Sequence, residues 1–137
     1  ICRIVAEDFS GRAENIWKDR SAMDVKRTLL SVYGVGSGIA NMSLVLIEGL
    51  YQITFTDLDY RNMDIKPDVH TMRVLFRLGV SPSINEMEAI IAARQISPSY
   101  PGAIDGPLWS IGRNWCHPTN PECAGCPLNS CCERIGL

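Results

Sequence analysis

The chain has 137 residues, of which 46% are hydrophobic and 20% are charged. This composition is ordinary for a folded domain with its own core, and it excludes a disordered chain. The formal net charge of −2 excludes a strongly basic surface, so contact with nucleic acid would depend on local cations or on main-chain groups.

Three helices are predicted in the first half of the chain. Ser10 is a plausible N-cap for the first, and either Ser21 or Asp24 begins the second, because short polar side chains satisfy the free N–H groups of a helix start. Apolar residues recur at mostly helical spacing through the second and third helices. The expected helices cover residues 11–17, 21–33 and 39–49.

Residues 51–66 lack a helical period and are predicted to form a loop, with a short strand at 51–55. Asp68 then begins a helix, and Gly79 ends it, because glycine readily adopts the left-handed conformation found at helix C-termini.

The remaining elements are predicted to be helical as well. Ser83 and Glu86 fit a capping box for a helix that runs to about Gln95. The Pro- and Gly-rich stretch 97–102 is a linker, and a last helix follows at 108–115. Strand signals are scarce, so the predicted fold class is all-α.

The turn between the second and third helices alternates glycine with other residues. Glycine permits positive φ and close approach to another molecule, and the free N–H groups of the following helix can hold a phosphate. A simple helix–helix turn with a glycine cap is the other interpretation. The candidate DNA-binding residues of this hairpin are Gly34, Val35, Gly36, Ser37 and Gly38.

Four cysteines near the C-terminus follow the pattern C-x6-C-x2-C-x5-C. Closely spaced thiolates suit a metal centre, whereas a disulfide framework would spread its cysteines along the chain. Zinc and an iron–sulfur cluster are both candidates, and the wide first gap favours the cluster because zinc ribbons pair two short knuckles. The predicted ligands are Cys116, Cys123, Cys126 and Cys132, with Cys131 as the alternative to Cys132.

A carboxylate precedes these cysteines and follows the hairpin. Taken alone, Asp68 in Lys66-Pro67-Asp68-Val69-His70 is a helix cap. The chain has the hairpin first, then Asp68, and then Gly112-Arg113-x-x-Cys116 before the other cysteines. This ordered set of motifs resembles the endonuclease III-like branch of the helix-hairpin-helix DNA glycosylases. The resemblance is dense over residues 29–47, 66–79 and 108–132.

The resemblance implies a role for each motif. Asp68 would be the catalytic carboxylate, the hairpin would bind the DNA backbone, and the four cysteines would hold a [4Fe–4S] cluster. The partner would be double-stranded DNA that contains a damaged or mismatched base. His70 and Arg73 would be structural neighbours of the catalytic helix start.

Two departures from the family refine these expectations. Members that also cut the strand have a lysine at the position of Gly38, so the chain is expected to be a monofunctional glycosylase; Lys66 and Lys26 do not occupy the matching position. The helices that precede the family's hairpin region are absent, so the helical domain is incomplete and would expose an apolar face. A missing N-terminal segment or a partner chain would cover that face, unless the fold has been rebuilt. The initial Ile1 indicates a fragment, a processed product or the ordered part of something longer.

Two other functions stay open on the sequence. One is a catalytically silent relative that only binds DNA, and the other is a zinc-stabilised helical interaction module. Two basic groups are local candidates for DNA contact, although a solvated helix face explains them equally well: Lys66, Arg73 and Arg77, and Arg12, Lys18 and Arg20.

The predicted organisation has two regions. Residues 1–103 form the helical domain, with the helix-hairpin-helix at about 22–50 and the catalytic helix at 68–79, and residues 104–137 form the iron–sulfur region. No apolar run is long enough to span a bilayer, so no membrane contact is expected. The resemblance implies an intracellular location, which in a prokaryote would be the cytoplasm, in association with the nucleoid.

Overall fold

The computed structural model describes residues 1–137, and they fold entirely as helices and loops, which confirms the all-α class. The α-helices are α1 (Cys2–Asp8), α2 (Ala22–Leu30), α3 (Ser37–Tyr51), α4 (Val69–Leu78), α5 (Glu86–Ile96) and α6 (Asp105–Asn114). Short 3-10 helices lie at Ala13–Ile16, Tyr60–Asn62, Pro101–Ile104 and Cys123–Gly125.

The chain divides into two compact units, Ile1–Asp59 and Tyr60–Leu137. The division at residues 103 and 104 was predicted on functional grounds, and it stays a prediction. None of the helices is long and apolar enough to cross a membrane.

In the first unit, α2 packs against α3. Their contact is apolar, since Val25, Ala40 and Leu44 are all almost completely buried. Ser21 caps α2 as predicted, and its side chain accepts a hydrogen bond from the Asp24 N–H at 3.1 Å.

Two sequence predictions for the first unit are wrong. Ser10 does not cap a helix: its φ of 53° is left-handed, and a 3-10 helix begins only at Ala13. No strand forms at 51–55, because α3 continues to Tyr51 and ends at Gln52 in the left-handed conformation. The apolar residues after the helix serve packing instead, as the burial of Phe55 illustrates.

A carboxylate from a distant part of the chain accepts hydrogen bonds at the start of α2. Asp57 accepts hydrogen bonds from the N–H groups of Ala22 and Met23, at 2.8 and 3.2 Å. These bonds favour the ionised form and lower the pKa of Asp57. The carboxylate therefore joins the loop after α3 to the positive end of α2.

We expect Asp57→Asn to destabilise the protein at neutral pH. A lowered pKa in the folded state gives stability that is present above the unfolded-state pKa and is lost as the pH falls through the folded-state pKa. The difference between the wild type and the variant should therefore shrink from pH 7 to pH 3. Urea unfolding at both values checks this, with the exposed Asp8→Asn as the matched change of charge in the same unit.

The second unit packs α4 against both α5 and α6. Leu75 of α4, Ala93 of α5 and Leu108 of α6 belong to one buried cluster. The start of α5 differs from the prediction, because Asn85 rather than Ser83 caps it by accepting from the Glu88 N–H. Gly79 ends α4 in the left-handed conformation, as predicted.

The crossing of α4 and α6 is unusually close. A Cβ atom at Gly112 would lie 2.7 Å from the Cβ of His70 and 3.0 Å from its Cα, which is nearer than side chains tolerate. Glycine at this position therefore allows the start of α4 to lie directly against α6.

Candidate functional site

Asp68 lies at the N-terminus of α4 with a fixed orientation. Its Oδ1 atom accepts hydrogen bonds from the N–H groups of His70 and Thr71, both at 2.8 Å. The Thr71 hydroxyl accepts in return from the Asp68 N–H at 2.9 Å, which completes a capping box. Oδ2 makes no hydrogen bond within the protein and the residue is partly exposed, so one carboxylate oxygen is available to a ligand.

A second carboxyl of this unit is buried. Asp105 is the first residue of α6 and is only 8% exposed. Burial raises the pKa of Asp105, and the negative charge of Asp68 raises it further, whereas the Lys66 main-chain N–H lowers it in part. Sequence patterns do not reveal this residue, because an acidic side chain in the first turn of a helix is common and carries no functional signal.

Two side chains of α6 lie beside the start of α4. The Trp109 ring packs edge-on against His70, with 6.3 Å between ring centroids, and Trp109 is 42% exposed. The Arg113 guanidinium stacks over the same indole at 5.1 Å. These contacts put an exposed aromatic surface and a cation close to the helix that Asp68 begins.

The four predicted ligand cysteines line one small cavity of the second unit. Cys116 follows α6, Cys123 begins the 3-10 helix, Cys126 follows it, and Cys132 lies six residues further on. Cys131 is exposed and does not line this cavity. The chain thus surrounds a common space with four partly buried thiols.

Arg77 of α4 bonds to the cysteine segment, which is residues 116–132. Its guanidinium donates to the carbonyl oxygens of His117 and Pro118, at 2.6 and 2.9 Å, and to Sγ of Cys116 at 3.4 Å. The Cys132 thiol lies 3.3 Å from the Arg77 carbonyl oxygen. Arg77 is only 7% exposed, so both ends of the segment contact one buried residue, and its guanidinium bonds the first end.

Arg73 has a similar role, a single helical turn earlier in α4. It donates to the carbonyl oxygens of Cys116 and Gly112, at 2.7 and 2.8 Å, and it contacts Nδ1 of His70. Arg73 and Arg77 are therefore buried structural residues, and the prediction that they lie on a solvated helix face or contact DNA is wrong. The charge of a buried guanidinium requires compensation from its surroundings.

The chemistry of this cavity fits an anionic thiolate cluster. No carboxylate pairs with Arg77, so four thiolates around a cluster would supply the charge that balances the buried cation. No three His, Cys, Asp or Glu side chains are arranged to hold one metal ion.

We expect Arg77→Ala to destabilise the second unit by about 1–3 kcal/mol, because it leaves two partly buried carbonyl groups without their donor. Arg77→Lys should recover only some of this loss, since a single ammonium cannot reproduce the forked contacts. Chemical denaturation measures both changes. The exposed Arg113→Ala is the matched control, and an equal loss there would refute the structural role of Arg77.

The hairpin of the first unit has the predicted backbone features. Gly34 has a φ of 84°, and Gly36 precedes α3 with no side-chain cap. The N–H groups of Ser37, Gly38 and Ile39 therefore have no acceptor within the protein, whereas the Ala40 N–H donates to the Gly36 carbonyl oxygen at 3.0 Å. Tyr33 is fully exposed at the tip of the turn.

The other predicted basic group is Arg12, Lys18 and Arg20, and its two arginines make contacts within the protein. Arg20 donates to the carbonyl oxygens of Ile16 and Asp24 and stacks on the Phe9 ring. Arg12 pairs with Glu14 at 2.6 Å. Lys18 is thus the member of this group that has no such contact in the structure.

A wide apolar cavity of about 630 Å³ opens on the first unit. Residues of α1 and of the end of α3 line it, among them Val5, Leu46 and Leu50, and Leu50 is 71% exposed. The unit therefore carries an exposed apolar surface.

Comparison with known proteins gives two informative similarities, although no protein-family model matches the chain. Endonuclease III of Thermotoga maritima is 30% identical over 134 residues, which are 97% of this chain and 53% of that protein. Adenine DNA glycosylase of Arabidopsis thaliana is 28% identical over 105 residues, which are 69% of this chain and 16% of that protein. The chain thus spans about half the length of the first relative and a smaller share of the second.

Proposed function

The chain is related to the endonuclease III-like branch of the helix-hairpin-helix DNA glycosylases, and on this basis we propose that it is a portion of a DNA N-glycosylase. Its substrate is a damaged or mismatched base in double-stranded DNA. The observation that carries the proposal is Asp68, whose carboxylate is fixed through one oxygen and leaves the other available.

Asp68 meets the needs of glycosidic bond cleavage. As the bond between base and sugar breaks, positive charge develops on the deoxyribose, and a fixed anion stabilises it. The free oxygen Oδ2 accepts a proton from the water that attacks the sugar carbon, while the departing base leaves with the bonding electrons. The base must first leave the stack, since the bond is inaccessible inside the duplex.

The hairpin binds the DNA backbone in this proposal. Outward-facing N–H groups at the start of α3 provide donors for a phosphate, and the positive end of the helix favours an anion there. The glycines leave this surface without bulky side chains, so the phosphate approaches the main chain closely. Such contacts are independent of base sequence.

The enzyme is monofunctional because no amine is available at the hairpin position of Gly38. Strand cutting by this family's route requires a lysine that forms a Schiff base with the sugar. Without it, water is the nucleophile, and the product is an intact strand with an abasic site.

The four cysteines hold a [4Fe–4S] cluster. Cys116, Cys123, Cys126 and Cys132 each supply one thiolate, and Arg77 provides the adjacent positive charge. When bound, the cluster supplies an anionic crosslink between four points of the segment. The residues around it, above all Arg73 and Arg77, attach that segment to the helix that carries Asp68.

A panel of duplexes tests the proposed reaction. It contains uracil, thymine mismatches, 8-oxoguanine mismatches, oxidised pyrimidines and alkylated bases, each scored with and without alkali. We expect strand breaks only after alkali, because base release leaves an abasic site. Strand cutting by the pure protein without alkali would refute monofunctional action.

A catalytically silent DNA-binding relative is the second candidate, and the absence of an amine at Gly38 favours it. It predicts binding to duplex DNA without release of any base in the panel. Binding that persists in Asp68→Asn, with no product from the wild type, would establish this alternative.

A further inference from the structure

The exposed side of α6 presents an indole ring and a guanidinium that the reaction at Asp68 does not use. Trp109 is 42% exposed, whereas Trp17 and Trp115 are both partly buried. Arg113 is also exposed, and it lies one helical turn further along α6 with its guanidinium carbon 5.1 Å from the centre of the Trp109 ring. The two side chains thus form a stack of an aromatic ring and a cation on the surface.

The contact that Arg113 makes distinguishes it from other exposed arginines. Arg12, Arg27 and Arg94 each form an ion pair with a carboxylate, at distances between nitrogen and oxygen of 2.6, 3.1 and 2.7 Å. Arg113 instead contacts an indole, so its N–H groups have no carboxylate partner. A guanidinium stacks on a ring through its face and donates through its edge, so Arg113 is oriented and can still bond an anion.

A series of contacts joins this stack to the start of α4. The Trp109 ring packs edge-on against His70, with 6.3 Å between ring centroids. The His70 N–H in turn donates to Oδ1 of Asp68 at 2.8 Å. Gly112, which precedes Arg113, lies directly against the main chain of His70. The stack is therefore joined to the Asp68 carboxylate through one intervening residue.

The exposed surface of α6 has the charge that binding to a phosphate requires. The carboxylate of this helix, Asp105, is only 8% exposed. The exposed residues of α6 are Gly106, Pro107, Trp109, Arg113 and Asn114. Arg113 therefore supplies the charge of this surface, in a chain whose formal net charge is −2. A cationic helix surface without an exposed carboxylate favours a polyanion locally.

We propose that Trp109 and Arg113 form a phosphate-binding surface for the DNA strand that carries the target base. Arg113 donates to a backbone phosphate close to that base, and Trp109 holds the guanidinium in the orientation that this bond requires. The inference deepens the proposed function, on which it rests for the identity of the partner. Because the stack already restricts the arginine side chain, little rotational freedom is lost when the phosphate binds.

Fluorescence anisotropy measures this binding without base release. The probe is a labelled duplex with a tetrahydrofuran residue in place of the target nucleotide, titrated at several salt concentrations. We expect Arg113→Ala to bind about tenfold more weakly at low salt, and its slope of log Kd against log salt to fall by about one, because one phosphate contact is lost. Arg94→Ala is the matched control and should keep the slope, since this guanidinium is bound to both oxygens of Asp64.

Variants of the ring test whether it orients the arginine. Trp109→Ala should weaken binding about threefold with an unchanged salt slope, since the charge of Arg113 remains. In the Arg113→Ala background the same replacement should have no further effect, and an equal loss in both backgrounds would overturn the orienting role. Arg113→Lys should also weaken binding with an unchanged slope, because an ammonium does not reproduce the planar stack.

Neutral methylphosphonates at single positions on either side of the tetrahydrofuran residue locate the phosphate. At the contacted position this replacement should weaken binding of the wild type but not of Arg113→Ala. The inference is overturned if the wild type does not bind the probe, if Arg113→Ala keeps the wild-type salt slope, or if no position on that strand shows this difference. Thermal unfolding of each variant shows whether the fold is intact.

Failure of this inference differs from failure of the proposed function. If binding depends on Arg113 but no duplex of the panel releases a base, the proposed reaction fails and the phosphate-binding surface stands. If a base is released while Arg113→Ala binds the probe as the wild type does, the reaction stands and the surface is refuted.

Discussion

Replacement of Asp68 by asparagine is expected to abolish base release and leave the fold intact. Asparagine caps a helix as well as aspartate does, so its side-chain oxygen can accept from the N–H groups of His70 and Thr71. It cannot take a proton from water, and it provides no anion to stabilise the sugar cation. We expect the single-turnover rate to fall by about 10²–10⁴-fold.

Two controls separate catalysis from capping. Asp68→Ala loses both functions and should also lose about 1 kcal/mol of stability. Asn85→Ala removes the cap of α5 at a similar cost to stability but should retain activity. The rate is measured as alkali-revealed strand breaks, and stability by urea unfolding. Full activity of Asp68→Asn would show that the reaction uses another group.

Replacement of Cys123 or Cys126 by serine is expected to remove the iron–sulfur cluster. The wild type should contain about four irons per chain and absorb broadly in the visible range. Loss of one thiolate breaks the ring of ligands around the cavity and leaves the charge of Arg77 without compensation. We therefore expect loss of iron, loss of colour and a lower unfolding temperature of the second unit.

Cys131→Ser is a matched control for these variants. This exposed thiol is adjacent to Cys132 but does not line the cavity, so its replacement should leave iron content and colour unchanged. Iron analysis and absorption spectra after anaerobic purification make the comparison. One zinc per chain in place of iron would contradict the cluster.

Local signals in the sequence predict much of this fold. Ser21, Asp68 and Gly79 end or begin helices as expected, because capping depends on a few neighbouring backbone groups. The same logic failed at Ser83, since Asn85 lies closer to the first turn of α5 and takes the capping position. Boundaries of this kind depend on small differences between adjacent candidates.

The features that sequence patterns missed depend on contacts between distant residues. Arg77 has the spacing of a surface residue, yet it is buried because the cysteine segment, some forty positions further along the chain, provides its acceptors. Asp105 looks like an ordinary helix start, and only the fold shows that it is buried. Sequence motifs predict the candidate site residues one motif at a time, whereas the residues that pack against them can be identified only in the folded structure.

The direct contact between Gly112 and His70 has a mechanical consequence. Asp68 begins α4, and Arg77 lies near its far end, under the cysteine segment. Gly112 contributes no side chain to this crossing, so α6 lies directly against His70. Because Asp68 and Arg77 belong to one helix, we expect a change that shifts the cysteine segment to displace the Asp68 carboxylate as well.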